Sequence, residues 1–150
     1  MAPRTYDILL AHDKPEKLER YRTMLVEAGG GWEVETASCG EEAVEKALSG
    51  SYFLVVLDVL MPNTRKDAKV GNVDQPGGIW ALERIAQQKP FLPVIMFSQK
   101  ELDDEIIDKA RRLRIFDYLI REEPHFQFKF TTRVKNAEEV FHNRIETLEQ

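Results

Sequence analysis

One stretch of the chain decides the fold: Leu54-Val55-Val56-Leu57-Asp58-Val59-Leu60-Met61-Pro62. Its four consecutive apolar residues predict a strand that is covered on both faces, as in the middle of a parallel sheet. The apolar run ends at the carboxylate of Asp58, and Pro62 prevents the strand from continuing. Open α/β sheets bind ligands at the carboxyl ends of such strands, so Asp58 is a candidate phosphate acceptor. On the strand alone, a carboxylate that caps the following turn is the simpler interpretation.

Composition limits the class of protein. At 150 residues, with 43% hydrophobic and 31% charged residues, the chain is expected to form one soluble globular domain, 1–150, around a single core. No apolar run approaches the ~20 residues that a membrane helix needs, and the start of the chain lacks the apolar segment of a signal peptide. The formal charge of -5 argues against direct binding to nucleic acid, and the single cysteine, Cys39, agrees with a reducing cytoplasm. We therefore expect a cytoplasmic protein without a membrane segment.

Short apolar runs alternate with helical patterns along the chain, which is the signature of a parallel sheet with helices on both faces. We predict an α/β fold, a flavodoxin-like three-layer sandwich whose five-stranded parallel sheet has the strand order 2-1-3-4-5. The core of the domain is expected to span residues 5–121. The predicted strands cover residues 6–11, 32–37, 54–58, 92–97 and 115–120.

Capping residues indicate where two of the helices begin. Ser38 is followed three residues later by Glu41, which is the spacing of a capping box, and Ser98 and Glu101 repeat it. We expect each serine to cap the helix that follows it.

Residues 63–77 form a polar stretch that is rich in turn formers and has no apolar period, so we predict a long loop. Loops of this length are uncommon inside compact domains and tend to be functional or disordered. Because the stretch begins directly after Pro62, it is expected to lie beside Asp58.

The end of the chain, 122–150, is predicted to be an extended segment followed by a helix. Phe126, Phe128 and Phe130 alternate with polar residues, a period of two that suits an edge strand. The phenylalanines are explained equally well by core packing or by a homodimer contact. The closing helix is indicated by apolar residues at helical spacing, namely Ala137, Val140, Phe141, Ile145 and Leu148.

Four polar residues follow the first, third, fourth and fifth predicted strands: Asp13, Asp58, Ser98 and Arg121. We expect their side chains to meet, because the carboxyl ends of parallel strands lie at one edge of a sheet. Two neighbouring carboxylates repel each other and call for a cation, and hard oxygen ligands suit Mg²⁺. A carboxylate can act as nucleophile toward a phosphoryl donor, while a hydroxyl and a fixed positive charge bind the transferring oxygens.

With these motifs in view, the chain resembles the receiver domain of response regulators in two-component signalling, from residue 6 to residue 121. The likeness is carried by Ile8-Leu9-Leu10-Ala11-His12-Asp13, Leu57-Asp58-Val59-Leu60-Met61-Pro62, Gly78 at the start of a helix, Pro93-Val94-Ile95-Met96-Phe97-Ser98 and Asp117-Tyr118-Leu119-Ile120-Arg121.

The resemblance implies a role for each matching position. Asp58 would accept a phosphoryl group from a sensor histidine kinase or a phosphotransfer protein. Asp13, Asp58 and the backbone carbonyl of Leu60 would bind Mg²⁺. Ser98 would be the switch hydroxyl, and Tyr118 the rotating aromatic that signals to the face formed by the fourth helix, the fifth strand and the last helix. That face would act on a downstream output protein or domain.

The chain departs from the family pattern near the proposed acceptor. His12 stands where the family has a second acid, and could be a metal ligand, a proton shuttle or, as we favour, a neutral side chain at the rim of the site. Arg121 stands where the family has lysine, and Glu122 where it has proline; arginine binds oxygens in a planar fork and is not equivalent to lysine. The 63–77 loop is longer than in the family, so that Lys66, Lys69 or Arg65 could fold over the site. A solvated loop is the alternative.

The leading hypothesis is a phosphorylatable receiver, which catalyses only its own phosphorylation and dephosphorylation and is otherwise not an enzyme. The alternative is an atypical receiver that acts as a phosphorylation-independent interaction module. A phosphatase with an aspartyl nucleophile is disfavoured because Leu60 occupies the place of its second acid, and a nucleotide-binding fold because no glycine-rich turn joins a strand to a helix. The leading hypothesis requires that the structure leave the Asp58 side chain unburied and place Asp13 near enough to share an ion with it.

Overall fold

The computed structural model describes residues 7–99 and 104–149, with the backbone alone for residues 148 and 149. In chain order the strands and helices are β1 Ile8–Ala11, α1 Pro15–Glu27, β2 Val34–Ala37, α2 Gly40–Ser49, β3 Leu54–Asp58, α3 Arg65–Lys69, α4 Gly77–Gln88, β4 Val94–Ser98, α5 Asp104–Arg112, β5 Asp117–Ile120 and α6 Phe126–Glu149.

The five strands form one parallel sheet in the order β2-β1-β3-β4-β5, which confirms the predicted fold class and strand order. β3 is the central strand and all five of its residues are buried, as its continuous apolar run predicted. The pairing register aligns Asp58 with Phe97 of β4, and Ser98 with Ile120 of β5. The carboxyl ends of β1, β3, β4 and β5 therefore lie along one edge.

Helices cover both faces of the sheet, because alternate residues of each strand point to opposite sides. On one face, Leu9, Val55, Leu57 and Met96 belong to a core cluster with residues of α2, α4 and α5. On the other face, the strands pack against α1 and α6 around a second cluster, whose members include Leu10, Val56, Phe97, Tyr21 and Phe130. The result is the three-layer sandwich that the sequence predicts.

The cap predicted at Ser38 is wrong by one residue. Cys39 occupies the N-cap position of α2, and its own side chain makes no capping hydrogen bond. Ser38 instead donates its backbone N–H to the carboxylate of Glu42, at 2.8 Å. The glutamate of the capping interaction is therefore Glu42 rather than Glu41, because the helix begins one residue later than the spacing suggested.

The long loop predicted over residues 63–77 is interrupted by the five-residue helix α3, which the lack of an apolar period did not predict. Thr64 caps this helix by accepting a hydrogen bond from the backbone N–H of Asp67. The excursion closes at its base, where the N–H of Met61 donates to the carbonyl of Gln75 at 3.0 Å and the N–H of Asn63 to the Gln75 side chain at 2.8 Å. Turn formers and a short helix thus carry the chain out from β3 and back to it.

The extended segment predicted around the three phenylalanines is wrong, because α6 begins at Phe126. Phe126 and Phe130, four residues apart, lie on one helix face and are 8% and 0% exposed, whereas Phe128 is 71% exposed. Three residues at a spacing of two do not distinguish a strand from a helix, and packing against Phe97 decides for the helix. The ring centroid of Phe97 lies 5.1 Å from that of Phe126 and 4.8 Å from that of Phe130.

Some expectations fall outside the residues that the structure describes. These are the start of the first strand at Tyr6, the capping spacing of Ser98 with Glu101, and the inward position of the Leu148 side chain. Among the described residues, no helix is long and apolar enough to cross a membrane.

The helical assignment of the phenylalanine segment makes a direct prediction. Phe130→Ala should lower the free energy of unfolding by about 3–5 kcal/mol, because it empties a fully buried ring from the core. Phe128→Ala, the matched control two residues away, should change it by no more than about 0.5 kcal/mol. Urea unfolding of both variants measures the difference. Equal losses in both would contradict the helix and favour a segment that buries all three rings.

Candidate functional site

The strand ends open onto a cavity of about 430 Å³. The structure brings Asp13, Asp58, Ser98 and Arg121 together in its wall, as the topology predicted, although this placement alone does not test their roles. Further side chains that line the cavity are His12, Lys14, Lys17, Arg20, Tyr21, Leu60, Val73, Asp74, Gln99 and Glu122.

Glycines let α4 approach the end of β3 closely. A Cβ atom on Gly78 would lie 2.4 Å from the carbonyl oxygen of Asp58, a distance that real Cβ atoms do not adopt. The backbone N–H of Gly78 donates to the carbonyl of Val59 at 3.1 Å. Gly78 therefore helps to fix the backbone that carries the carboxylate, and a larger residue there would displace it.

Asp58 lies at the floor of the cavity. The residue is 3% exposed, so the expectation of an unburied side chain is wrong, because Asp58 is the last residue of a strand that is covered on both faces. The cavity above it nevertheless reaches the surface, since the exposed residues Lys14, Arg20 and Gln99 also line it. Burial, and to a lesser extent the neighbouring charge of Asp13, raises the pKa of Asp58 to about 7 despite the opposing effect of Arg121. Within the described part of the chain, Asp58 Oδ1 is buried without a hydrogen-bond partner.

Arg121 is the cation nearest to this carboxylate among the described ion pairs. Its Nη1 atom lies 3.4 Å from Asp58 Oδ1, 2.8 Å from the Tyr21 hydroxyl and 2.9 Å from His12 Nε2. The backbone N–H of Arg121 donates to the carbonyl of Ser98 at 2.8 Å, which ties the end of β5 to that of β4. Arg121 Nε is buried and has no hydrogen-bond partner among the described residues.

His12 is buried, with 3% of its surface exposed, so its predicted place at the rim of the site is wrong. Burial, helped by the charges of Arg121 and Lys14, lowers the pKa of His12 to about 4, so the ring is neutral at pH 7. The sequence also predicted a neutral ring. The ring is neutral, however, because it is buried beside the positive charges of Arg121 and Lys14. Its Nε2 atom also lies 3.6 Å from Asp58 Oδ2.

The hydrogen bonds around His12 assign its tautomer. Arg121 Nη1 and the backbone N–H of Lys14 can both only donate, and they face different ring nitrogens. We place the ring proton on Nδ1, because Nε2 then accepts from a guanidinium and Nδ1 donates to a carboxylate, two charge-assisted bonds against one neutral bond in the other tautomer. The carboxylate is that of Asp13, whose Oδ1 lies 3.1 Å from Nδ1. The backbone N–H of Lys14 also lies 3.1 Å from Nδ1 and cannot donate to it in this tautomer. His12 thus connects Asp13 to Arg121.

Asp13 lies at the side of the cavity and is half-buried. Burial raises the pKa of Asp13, and the charge of Asp74, from the 63–77 stretch, raises it further. No group of three or more His, Cys, Asp or Glu side chains suited to a metal ion occurs among the described residues. The magnesium site that the resemblance implies would use the two carboxylates of Asp13 and Asp58 and the carbonyl of Leu60, oxygen ligands of the kind that Mg²⁺ prefers.

The two proposed switch residues lie on opposite sides of the sheet edge. Ser98 is 6% exposed and lines the cavity with Asp58. Tyr118 is half-buried and lines a second cavity, of about 390 Å³, between the sheet and α5. Because α3 is an additional helix, α5 is the helix that the sequence analysis counted as the fourth.

Lys66 and Lys69 do not fold over the site. Both are exposed on α3 and neither lines the cavity. Arg65 is held elsewhere, since its two terminal nitrogens lie 2.9 and 2.8 Å from the carboxylate oxygens of Glu45 on α2.

Sequence reasoning missed the residues of α1 that line the cavity. Lys14, Lys17 and Tyr21 follow one another at spacings of three and four, so they share the helix face that points to the strand ends. That spacing was the available signal. Asp74 was also missed, because no local pattern indicates which part of the 63–77 stretch returns to the site.

The buried carboxylate makes a stability prediction. The pKa of Asp58 is raised in the folded state, so the ionised form opposes folding; this cost is absent below about pH 4 and complete above about pH 7. In buffer without divalent ions, Asp58→Asn should therefore raise the free energy of unfolding at pH 8 by about 1–3 kcal/mol. The gain should shrink at pH 5.

Urea unfolding at both pH values measures this gain. Asp108→Asn, an equal change of charge at an exposed position on α5, should show none of it. A loss of stability in Asp58→Asn at pH 8 would mean that the carboxylate is well paired in the fold, contrary to this account.

Comparison with known proteins gives two curated relatives from Bacillus subtilis (strain 168). The chain is 34% identical over 107 residues to the alkaline phosphatase synthesis transcriptional regulatory protein PhoP, covering 70% of this chain and 38% of the relative. It is 30% identical over 128 residues to the uncharacterized transcriptional regulatory protein YcbL, covering 84% and 46%. The chain thus spans less than half the length of these relatives.

Solved structures share the fold at lower identity. A CheY-like response regulator receiver domain protein from Methanospirillum hungatei JF-1 matches with a TM-score of 0.74 and 17% identity, covering 94% of this chain and 99% of that one. The signal receiver domain of an HD domain-containing protein from Pseudomonas fluorescens Pf-5 matches with a TM-score of 0.73 and 22% identity, covering 93% and 99%.

The family model described as response regulator receiver domain matches residues 8–127, which is most of the chain and includes every strand end that forms the cavity. The chain therefore belongs to the response regulator receiver domain family.

Proposed function

We propose that the chain is a phosphorylatable receiver, in which Asp58 accepts a phosphoryl group from the phosphohistidine of a sensor histidine kinase or a phosphotransfer protein. The observation that carries this proposal is Asp58 Oδ1, a buried carboxylate oxygen that has no hydrogen-bond partner among the described residues and belongs to a residue that lines a charged cavity. A carboxylate that merely capped a turn would have its oxygens bonded to backbone N–H groups. The missing partner thus supports an acceptor over a cap.

Phosphoryl transfer to Asp58 needs no other covalent group. One carboxylate oxygen attacks phosphorus, the P–N bond of the donor breaks, and its electron pair returns to the imidazole nitrogen of the leaving histidine. Arg121, 3.4 Å from the acceptor, offers a fixed positive charge to the phosphoryl oxygens. Lys14, Lys17 and Arg20 line the same cavity and favour the approach of an anionic donor.

Asp13, Asp58 and the carbonyl of Leu60 would hold Mg²⁺, which supplies positive charge for the transferring oxygens when it is bound. The fit rests on the acidity of this side of the cavity and on the unpaired oxygen of Asp58. Asp13 also accepts from His12, which in turn bonds to Arg121 beside the acceptor.

The signal would leave through Ser98 and Tyr118. A phosphoryl group adds roughly -1.5 to -2 charge, and it would draw the Ser98 hydroxyl toward Asp58. Movement at the end of β4 would then shift Tyr118, which lies on the adjacent strand β5, paired to Met96. The face formed by α5, β5 and α6 would carry this change of population to an output protein or domain.

This function predicts that incubation with phosphoramidate or acetyl phosphate and Mg²⁺ adds one phosphoryl group to the protein. Intact mass spectrometry measures the adduct. Asp58→Asn should abolish it, because the amide is not a nucleophile, whereas Asp108→Asn should retain it. An adduct that persists in Asp58→Asn, or none in the parent protein, would reject Asp58 as the acceptor and leave an interaction module.

The metal assignment makes a separate prediction. Asp13→Asn should weaken Mg²⁺ binding at least tenfold, because it removes one of two carboxylates that face the ion. Isothermal titration with MgCl₂ at pH 8 measures the affinity, with Asp108→Asn as the control for loss of charge. Unchanged affinity in Asp13→Asn would place the ion elsewhere.

A further inference from the structure

We propose that Tyr21 and His12 hold Arg121 as a fork for the phosphoryl group, so that the edge of the guanidinium that carries Nε binds phosphoryl oxygens. The inference rests on the proposed phosphorylation of Asp58 and concerns how the site recognises the group once it is there. Tyr21 and His12 are positioning residues in this arrangement, because both act through Arg121.

Tyr21 is the rigid arm of the arrangement. Its hydroxyl accepts from Arg121 Nη1 at 2.8 Å, and the residue is 4% exposed. The ring is packed edge-on against three phenylalanines, with centroid distances of 5.1 Å to Phe97, 6.2 Å to Phe126 and 6.3 Å to Phe130. Because these contacts fix the ring, they also fix the position of the hydroxyl and of the nitrogen bonded to it.

His12 is the second arm. Its Nε2 atom accepts from the same Nη1 at 2.9 Å, while Asp13, 3.1 Å from Nδ1, orients the ring. Nη1 carries two hydrogens, so the bonds to Tyr21 and His12 use both of them. None is left for Asp58 Oδ1 at 3.4 Å, which explains why that oxygen has no hydrogen-bond partner among the described residues although a guanidinium lies beside it.

Anchoring at Nη1 leaves the opposite edge of the guanidinium available. Nε is buried and has no partner within the described part of the chain, a cost that persists until an acceptor arrives. A phosphoryl group on Asp58 brings several acceptor oxygens into the same cavity, and the planar fork of arginine suits two of them. Lysine has one nitrogen, and could not keep Tyr21 and His12 as partners while presenting a fork.

The test is the affinity for beryllofluoride, a stable analogue of the phosphoryl group, in saturating Mg²⁺. Tyr21→Phe removes the hydroxyl and keeps the ring that packs against the phenylalanines. It should weaken beryllofluoride binding by about 3- to 10-fold, the effect of losing one hydrogen bond that orients a charge. In the Arg121→Lys background the same change should have almost no effect, because the fork is absent. Isothermal titration measures all four proteins.

Two controls separate positioning from folding. Tyr52→Phe, at another buried tyrosine outside the cavity, should leave beryllofluoride affinity unchanged. The circular dichroism spectrum of Tyr21→Phe should also match that of the parent protein, since the ring that packs against the phenylalanines is kept.

The parent protein, the two single variants and the double variant form a double-mutant cycle. If Tyr21→Phe weakens beryllofluoride binding equally in the parent protein and in the Arg121→Lys background, or has no effect in the parent protein, the inference is overturned while the proposed function stands. If the parent protein does not bind beryllofluoride in Mg²⁺, the proposed function fails and this inference fails with it.

The histidine arm has its own pair of variants. His12→Leu removes the acceptor for Arg121, whereas His12→Gln keeps a side-chain carbonyl. The leucine variant should lose beryllofluoride affinity by a factor similar to that of Tyr21→Phe, and the glutamine variant by less. Equal losses in the two would show that His12 contributes only through its shape.

Discussion

The site depends on one carboxylate that the fold removes from water without giving it enough partners. All five residues of β3 are buried, and Asp58 is the last of them. Burial raises its pKa to about 7, because the charge of Arg121 offsets only part of the loss of hydration. Near neutral pH such a carboxyl group is protonated about as often as it is ionised. The desolvation of the ionised form destabilises the fold, so a cation that binds the ionised oxygens relieves this cost. The other residues of the site place positive charges and hydrogen-bond donors around this buried carboxylate.

His12 and Arg121, the two departures closest to the acceptor, form one unit rather than two separate defects. His12 is neutral and accepts from the guanidinium, so it fixes Arg121 without competing for its charge. A carboxylate in place of His12 would attract the guanidinium of Arg121 more strongly and would compete with Asp58 for its positive charge. Arginine, in turn, bonds to both Tyr21 and His12 through Nη1 and still has Nε and Nη2. A lysine ammonium would use two of its three hydrogens on those bonds and present a single donor instead of a fork. The pair therefore supports a site in which a guanidinium fork, in place of the family's lysine, binds phosphoryl oxygens.

Much of the fold followed from local pattern. The apolar run before Asp58 predicted a central strand, and strand ends in a parallel sheet predicted that Asp13, Asp58, Ser98 and Arg121 would meet. The errors arose where local pattern was ambiguous. Phe126, Phe128 and Phe130 fit a strand or a helix equally, and only contact with Phe97, far away in the chain, selects the helix.

The details of the site were harder to foresee, because they depend on contacts between distant residues. The Tyr21 hydroxyl meets a guanidinium 100 residues later in the chain, and no spacing in the sequence signals that pair. The burial of His12 likewise depends on neighbours that are distant in the chain, Asp58 and Arg121, so the sequence did not distinguish a buried ring from one at the rim. The return of Asp74 to the cavity requires the backbone closure at Gln75, which turn formers alone do not specify.

The most direct test of the central claim is the pKa of Asp58 itself, followed by the carbon-13 resonance of its side-chain carboxyl group during a pH titration. Without divalent ions the account predicts a midpoint near pH 7, and with saturating Mg²⁺ a midpoint well below it, as the ion displaces the proton. A midpoint near the ordinary aspartate value of about 4 in the absence of Mg²⁺ would contradict the account, because it would mean that the fold already satisfies this carboxylate.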